Sequence, residues 1–408
     1  MREVVGKLGM EHITAAVIRD ISGLEQIRGW WTAWQRHPNS DIDFYSTVLR
    51  TVPGIVRPHV IVVYDRGTPQ GILVGRIEDT DLAFNIGYGR FFRSHARVLT
   101  LIHRGLLGNV STSSCQVIVR EIMNSLREGE ADVAYFNLLR SDSPLYAVAL
   151  RTPGVLSRDH FSNTQPHHCM ELPTSLEQLA SQLSRKVRKN QRWNKLLRDY
   201  PNNVMIKSFR GTEDLEYIFQ VAEGIAQRSY HRGLGVGFVD SPETRKLLRA
   251  QAEHGWLRCH ILYVGGKPCA FWIGTLYHGT FNSDYMAYDT NYGQYSPGMF
   301  LIMRIVEVFC GPNSLDRVSR IDFGQGDAEW KAHLGNQEWF EAPIYIFAPT
   351  LKGLRLNSLR MPAILVNKVG RTVLERTQLL ARLKKEWRKH LAQKASEHPP
   401  VSDKAGPA

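Results

Sequence analysis

The chain has 408 residues, 43% of them apolar, which allows two or three domains with sizeable cores. It contains no run of eighteen apolar residues, so we expect no membrane-spanning helix, and its first residues lack the pattern of a secretory signal. The net charge of +12 is uneven: residues 185–199 hold seven basic residues against one acid, and residues 351–408 hold thirteen against four. The rest is slightly acidic, which argues against a broadly basic nucleic-acid-binding body.

The first part of the chain predicts an α/β half over residues 1–170. Residues 20–50 have helical character and carry three tryptophans, Trp30, Trp31 and Trp34. A hairpin, a helix and a buried strand are then predicted over 59–77, 115–129 and 134–139. Residues 81–105 have no clear pattern. The polar segment 157–168 places the end of this half near residue 170.

The second part predicts another α/β half over residues 171–349. Helices are predicted over 174–199, 212–229 and 297–309, and strands over 259–276 as a hairpin, 280–289, 318–323 and 342–348. Residues 350–408 form a basic tail. In it, one apolar helical face is predicted, made of Leu380, Leu383, Trp387 and Leu391, and the residues from Ala395 onward have the composition of a disordered segment.

Two hairpins about two hundred residues apart resemble each other. His59–Ile77 reads HVIVVYDRGTPQGILVGRI and His260–Leu276 reads HILYVGGKPCAFWIGTL, each with a Gly-x-Pro turn between two apolar runs. Because a hairpin does not bury both faces alone, the repeat predicts two sheet-containing halves built on one plan.

The five cysteines are scattered and have no metal-ligand spacing. Those in or beside apolar runs predict buried free thiols in a reducing compartment. His167, His168 and Cys169 are adjacent, but no second ligand pair lies nearby in the sequence. We therefore expect no metal site.

The segment Tyr288–Lys331 has the most informative pattern. Ser296 and Pro297 are favoured at the N-cap and first position of a helix, and Gly298 places no side chain before the helix start. The free N–H groups there predict an anion site suited to a pyrophosphate. The next strand ends in Asp322-Phe323-Gly324-Gln325-Gly326-Asp327, followed by Lys331, and ligands bind at such strand ends in open α/β sheets.

The series of a hairpin, AYDxxYxxYSPGxxL, an apolar helix and DFGxGDxxWK is similar to the GNAT-like acyltransferase domain of proteins linked to bacterial cellulose and exopolysaccharide synthesis. The resemblance covers residues 170–350 well and 25–165 more loosely, and it extends to the arginine-rich helix at 185–198. It implies tandem GNAT-like α/β halves with central mixed sheets. Trp330 is a departure, because the related proteins usually have tyrosine there.

The resemblance also implies direct transfer from acyl-CoA, most simply acetyl-CoA, to an amine or hydroxyl. We assign Asp322 as the most important carboxylate and Lys331 to stabilise negative charge, with further catalytic candidates Tyr288, Asp289 and Asp327. The donor-binding candidates are Tyr295, Ser296, Pro297, Gly298 and Met299. The substrate-binding candidates are Arg188, Arg192, Asp284 and Trp330.

Two alternatives stay open. Paired GNAT-like domains also occur in transferases that use aminoacyl-tRNA to build peptidoglycan cross-bridges, and a basic face from Arg185 to Lys195 suits RNA phosphates. A non-catalytic assembly module is the third possibility. In the main interpretation the acceptor is a small molecule or glycan precursor, nucleic acid is not a partner, and the protein is cytoplasmic with peripheral contact of the tail to the inner membrane or an envelope complex.

Overall fold

The computed structural model describes residues 12–86, 89–160, 162–183, 191–233, 237–312 and 314–362. These residues form two compact units. Unit 1 contains the described residues from 12 to 167, residues 325–327 and those from 338 to 362. Unit 2 contains the described residues from 168 to 324 and residues 328–337. Residues 338–349, assigned above to the second half, thus group with unit 1.

The strands, in chain order, are β1 (Ile13–Ile18), β2 (Ile55–Pro58), β3 (Val60–Asp65), β4 (Thr68–Ile86), β5 (Gly89–Gly108), β6 (Val133–Arg140), β7 (Gln165–Glu171), β8 (Val204–Phe209), β9 (Leu257–Val264), β10 (Lys267–Tyr277), β11 (Thr280–Tyr288), β12 (Arg320–Gln325) and β13 (Gln337–Phe347).

The helices are α1 (Ile21–Gln26), α2 (Arg28–Trp34), α3 (Ile42–Thr51), α4 (Thr112–Arg127), α5 (Pro144–Arg151), α6 (Leu176–Gln182), α7 (Gln191–Asp199), α8 (Leu215–Gln227), α9 (Tyr230–Gly233), α10 (Pro242–Glu253), α11 (Pro297–Cys310) and α12 (Glu329–Leu334), and there are short 3-10 turns at Pro38–Ser40, Thr212–Asp214 and Thr290–Tyr295. Among the residues that the structure describes, no helix is both long and apolar enough to cross a membrane.

The two units have the same strand order. In unit 1 the order is β1-β3-β4-β5-β6-β13, with β2 beside β4, and in unit 2 it is β8-β9-β10-β11-β12-β7. Pairing is antiparallel from β1 to β5 and from β8 to β11, whereas β5–β6 and β11–β12 are parallel. The predicted hairpins are β3–β4 and β9–β10 and occupy equivalent positions, so the duplication and the tandem mixed α/β fold are confirmed.

The turn of each hairpin differs from the predicted Gly-x-Pro turn. Arg66 and Gly67 in the first hairpin, and Gly265 and Gly266 in the second, all have positive φ. Two consecutive residues in this region form the tight turn that matches the twist of a hairpin, and glycine adopts it without steric cost. Thr68 and Lys267 already begin the second strands.

Both sheets are covered on both faces, which explains their nearly continuous apolar strands. In unit 1, Ile61 and Val63 of β3 pack in the core with α4, whereas Val60 and Val62 pack with α1–α3. In unit 2, Leu262 of β9 packs with α11, while its neighbours pack with α8 and α10. Successive strand residues alternate between the two faces, so each strand contributes to two cores.

The sequence did not predict several elements. The described residues between 81 and 105, a stretch that had no clear pattern, lie in the long antiparallel pair β4–β5. The polar segment proposed as a boundary ends in β7, where His167 and His168 are buried strand residues. Polar side chains there concealed the apolar pattern expected of a buried strand.

Candidate functional site

The candidate site of unit 2 lies where two parallel strands separate. β11 and β12 pair from Thr280 and Arg320 to Asn282 and Asp322. Beyond this point the described pairing ends, although β11 continues to Tyr288. Separated parallel strands leave backbone and side chains accessible to a ligand. We call this region, residues 283–288 of β11 and 323–324 of β12, the unit 2 cleft.

A β-bulge lies at Asp284, within the unit 2 cleft. In the β10–β11 ladder Ile273 pairs with Tyr285 and Gly274 pairs with Ser283, so Asp284 is an extra residue on β11. A bulge redirects the side chain of the extra residue and is common beside active sites. Gly274 permits it, because a Cβ there would lie 2.4 Å from the carbonyl oxygen of Asn282.

The environment of Asp284 suits proton transfer. Thr275 Oγ1 donates a hydrogen bond to Asp284 Oδ2 at 2.5 Å. Desolvation raises the pKa of Asp284 to about 7, the charge of Asp322 adds to this, and hydrogen bonds from Thr275 and Gln251 oppose it. The residue is nevertheless solvent-exposed. The Asp284 carboxyl group is thus surrounded by protein but still accessible to water, as at the base of a cleft. Its protonated and ionised forms are both populated near neutral pH.

Asp322 and Lys331 complete an electrostatically linked group with Asp284. Asp322 is buried, and its Oδ1 accepts a hydrogen bond from the backbone N–H of Gly324 at 2.8 Å. Gly324 has φ of 73°, which a residue with a Cβ adopts only with strain. Desolvation lowers the pKa of Lys331 to about 8, while Asp322 opposes the shift. The charge of Asp322 therefore raises the pKa of both Asp284 and Lys331.

Trp330 packs beside this group. Its ring meets that of Phe323 edge to face at 5.4 Å between centroids. Lys331 Nζ lies 3.4 Å from the carbonyl oxygen of Gly324 and 5.8 Å from the centroid of Trp330. Trp330, which stands where the similar proteins usually have tyrosine, thus forms part of the packing around Lys331.

The start of α11 differs in detail from the prediction. Pro297 is at the beginning of the helix, as predicted, but Ser296 has φ of 52° and its side chain forms no capping hydrogen bond. Ser296 occupies the N-cap position as predicted, and its carbonyl oxygen accepts from the Phe300 N–H at 3.1 Å. Its Oγ, however, accepts a hydrogen bond from Arg192 Nη1 at 2.9 Å and does not cap the helix. Gly298 is buried, and a Cβ there would lie 3.4 Å from Tyr288 Cδ1. Met299 follows and is half-buried.

Helix α7 brings positive charge to this helix start. Besides Arg192, Lys195 donates from Nζ to Gln294 Oε1 at 3.0 Å and lies 5.4 Å from the ring centroid of Tyr295. Tyr295 is buried and donates its hydroxyl to Asp199 Oδ2 at 2.9 Å. Arg188 and the tail helix at 380–391 lie outside the described residues.

The remaining predicted residues are in different settings. Asp289 is buried. Its carboxylate accepts hydrogen bonds from Arg228 Nε at 2.6 Å and from the backbone N–H of Asn291 at 3.0 Å. These contacts fix the loop before α11. Tyr288, at the end of β11, meets the ring of Tyr230 at 6.3 Å. Asp327 is exposed and belongs to the short segment grouped with unit 1.

A cavity of about 530 Å3 adjoins the loop before α11. Its lining residues are Tyr200, Arg228, Lys267, Pro268, Asp289, Asn291, Tyr292, Gln294 and Tyr295. The wall is mainly polar and aromatic and lies beside the basic residues of α7. Arg228 and Lys267 contribute positive charge to this wall, and Asp289, which pairs with Arg228, contributes negative charge.

Comparison with known proteins agrees with this geometry. Residues 182–332 match the family model of the acetyltransferase (GNAT) domain. This matched segment is similar to GNAT acetyltransferase domains. This match includes α7, the bulged strand β11, the start of α11 and Lys331, and it confirms the prediction of a GNAT-type acyltransferase. GNAT domains use acyl-CoA as co-substrate in general.

Solved structures resemble most of the chain at low identity. A conserved protein of unknown function from Bacteroides thetaiotaomicron is 13% identical, with a TM-score of 0.50 over 81% of this chain and 100% of that one. FemX is 9% identical, with a TM-score of 0.50 over 82% of this chain and 97% of that one. These likenesses show the fold alone. No curated protein matches the sequence significantly.

Sequence reasoning missed several residues around the GNAT site. Thr275, Gln251 and Arg228 contact the predicted carboxylates, but nothing in their local sequence distinguishes them from ordinary strand or helix residues. The bulge at Asp284 depends on Gly274 in the neighbouring strand. A pairing between strands fixes its position, and the sequence alone does not specify that pairing residue by residue.

Proposed function

We propose that unit 2 transfers an acyl group from acyl-CoA to an amine or hydroxyl acceptor, with Asp284 as the general base. The observation that carries this proposal is the bulge that places Asp284 where β11 and β12 separate, within the domain that matches the GNAT family. Its pKa of about 7 suits proton acceptance at neutral pH.

The proposed step is direct attack on the thioester. The acceptor nitrogen or oxygen forms a bond to the acyl carbon, the carbon–sulfur bond breaks, and the acceptor proton moves to the Asp284 carboxylate. Lys331, whose pKa is about 8, supplies positive charge and a proton for the departing thiolate. Asp322 keeps Lys331 protonated to a higher pH than desolvation alone would allow.

The start of α11 supports donor binding in the same unit. The N-terminal N–H groups of a helix favour phosphate, and Arg192 and Lys195 both contact the segment that precedes this helix. We assign the pyrophosphate of the donor to this end, near Ser296–Met299. Acetyl-CoA is the donor that we propose.

The test measures coenzyme A binding by calorimetry and thiol release from acetyl-CoA with a panel of amines, hydroxy acids and sugars. Asp284→Asn is expected to retain coenzyme A affinity and lose at least 100-fold in kcat. Glu253→Gln, an exposed change on α10, is the matched control and should leave both unchanged. Absence of coenzyme A binding by the folded wild type would refute the proposed function.

A second candidate is aminoacyl transfer from aminoacyl-tRNA. The basic residues of α7 and the fold likeness to FemX favour it. Direct binding measurements distinguish the two: the first candidate requires that the protein bind coenzyme A, and the second requires that it bind aminoacyl-tRNA. Binding of aminoacyl-tRNA without any binding of coenzyme A would replace the first proposal with the second.

The cellular setting is also a proposal. The likeness in sequence to proteins linked to exopolysaccharide synthesis supports a role in envelope or exopolysaccharide metabolism, with a glycan precursor as acceptor. A cytoplasmic protein whose basic tail contacts the inner membrane or an envelope complex fits the concentration of thirteen Lys and Arg in residues 351–408.

A further inference from the structure

Unit 1 has a larger bulge at the position equivalent to that of Asp284. In the β4–β5 ladder Leu73 pairs with Leu106 and Gly75 with Leu101, so residues 102–105 lie outside the regular pairing. Arg104, within this bulge, has φ of 61°. A non-glycine residue in this region costs about 1–3 kcal/mol, and such residues are concentrated at functional sites.

The bulge brings His103 to two residues that are distant in sequence. His103 Nε2 lies 3.2 Å from Glu341 Oε2, and His167 Nδ1 lies 3.0 Å from the same oxygen. The three ligand atoms are all within 4.8 Å of one another. His167 and Glu341 are almost fully buried. We call these three residues the His–His–Glu cluster.

These distances suit a shared metal ion. With bonds of about 2.0–2.2 Å, the ligand atoms of a tetrahedral zinc site are about 3.3 Å apart, close to the two measured nitrogen–oxygen distances. His103 Nε2 is buried and makes no hydrogen bond despite its distance of 3.2 Å from Glu341 Oε2. A nitrogen and a carboxylate oxygen that share one ion lie at about this distance from each other.

Neighbouring groups orient the cluster in the way that outer residues orient metal ligands. Trp339 Nε1 donates to Glu341 Oε1 at 2.7 Å, which leaves Oε2 to face the two histidines. The Trp339 ring stacks on His167 at 4.5 Å with an interplanar angle of 17°. Arg104 lies 5.0 Å from the centroid of the same ring. The carboxylate and one imidazole are thus held in fixed orientations.

A cavity of about 190 Å3 adjoins the cluster and offers a fourth position. Its wall is largely apolar but includes Arg104, Arg140 and Glu341. Arg140 is paired with Asp142 at 2.7 Å, whereas Arg104 lies 3.6 Å from Glu341 Oε1. The combined positive charge of Arg104 and a divalent ion exceeds the negative charge of Glu341 and favours an anionic fourth ligand, such as hydroxide or a small carboxylate.

We propose that His103, His167 and Glu341 bind a divalent transition-metal ion, with an anionic fourth ligand from the adjoining cavity. Two imidazoles and one carboxylate are a donor set of Zn²⁺ sites and also of non-haem Fe²⁺ sites, and Zn²⁺ is the ion used in the test. All three residues belong to unit 1, because the part of β7 up to His167 is grouped with that unit. The site is independent of the transfer chemistry proposed for unit 2.

The experiment uses the full chain without a polyhistidine tag, stripped with chelator and titrated with Zn²⁺ and with Co²⁺. The wild type should bind one equivalent of Zn²⁺ in competition with a chromogenic chelator and give visible Co²⁺ absorption bands of tetrahedral intensity. His103→Ala should weaken Zn²⁺ binding by at least 100-fold and abolish those bands. His95→Ala, an exposed histidine on the same strand, is the matched control and should change neither.

Folding of each variant is checked by circular dichroism, and Glu341→Gln serves as a second variant that retains the size of the side chain. Zn²⁺ should raise the melting temperature of the wild type and not that of either cluster variant. Wild type without a bound equivalent, or equal binding by the wild type and folded His103→Ala, would overturn the proposal and leave the cluster as a hydrogen-bonded buried carboxylate.

Discussion

Thr275→Val tests the role of Asp284 through a change in pH dependence. The Thr275 hydroxyl donates to Asp284 and lowers its pKa, and valine has nearly the same shape without the donor. Loss of a hydrogen bond to an ionised group costs about 1.5 kcal/mol at the lower end of its range, which corresponds to about one pKa unit. We therefore expect the pKa of Asp284 to rise from about 7 to about 8.

The magnitude follows from the ionised fraction of the base. If the deprotonated carboxylate is the active form, this shift reduces kcat/KM about ninefold near pH 6 and about fivefold near pH 7, with almost no change near pH 9. Deprotonation of Lys331 lowers kcat/KM at high pH equally in the wild type and in Thr275→Val. This decrease therefore cancels in the ratio of their kcat/KM values. The assay is coenzyme A release across this pH range, with thermal unfolding as the folding control. A ratio that is the same at every pH would refute the assignment.

Three further predictions concern other parts of the molecule. Gly274→Ala should lower the free energy of unfolding by about 1–3 kcal/mol, measured by denaturant titration, because the new Cβ meets backbone at 2.4 Å, whereas Gly29→Ala meets nothing within 4 Å and should not destabilise. Arg192→Ala should weaken coenzyme A binding by calorimetry about tenfold, whereas the exposed Arg198→Ala on the same helix should not; equal loss in both would contradict specific phosphate binding. Truncation after residue 362 should abolish co-sedimentation with anionic liposomes while coenzyme A binding persists, and unchanged sedimentation would exclude the membrane role of the tail.

The position of that truncation comes from the structure. Removal of everything after Pro349 would also remove Leu356, which is buried in unit 1, and Arg360, which pairs with the buried carboxylate of Asp159. Such a truncation would combine loss of the tail with damage to unit 1.

Strong local patterns predicted much of the fold. The apolar run from Met299 to Phe309 gave a buried helix, and the repeated hairpins gave two similar sheets, because burial on both faces requires continuous apolar strands. Local pattern did not predict β7, where histidines and a cysteine replace the usual apolar residues. It also did not predict the hydrogen bond between the Ser296 side chain and Arg192, which is distant in sequence.

The site was predictable only in part. Asp284, Asp322 and Lys331 were identified as candidates from a short segment and its resemblance to a family. The bulge that distinguishes Asp284 depends on strand register, and the His–His–Glu cluster joins residues from three separate parts of the chain. Spacing rules for metal ligands apply to neighbours in sequence and do not detect such a cluster.

The position of β13 in unit 1 has a consequence for synthesis of the protein. β6 ends at Arg140, and its antiparallel partner β13 begins at Gln337. At ribosomal rates of about 5–20 residues per second, the newly made β6 waits roughly 10–40 seconds for its partner. During that interval its edge offers unpaired N–H and C=O groups to any other extended chain. Unit 1 therefore acquires its last strand only after the segment that matches the GNAT model, residues 182–332, has been translated.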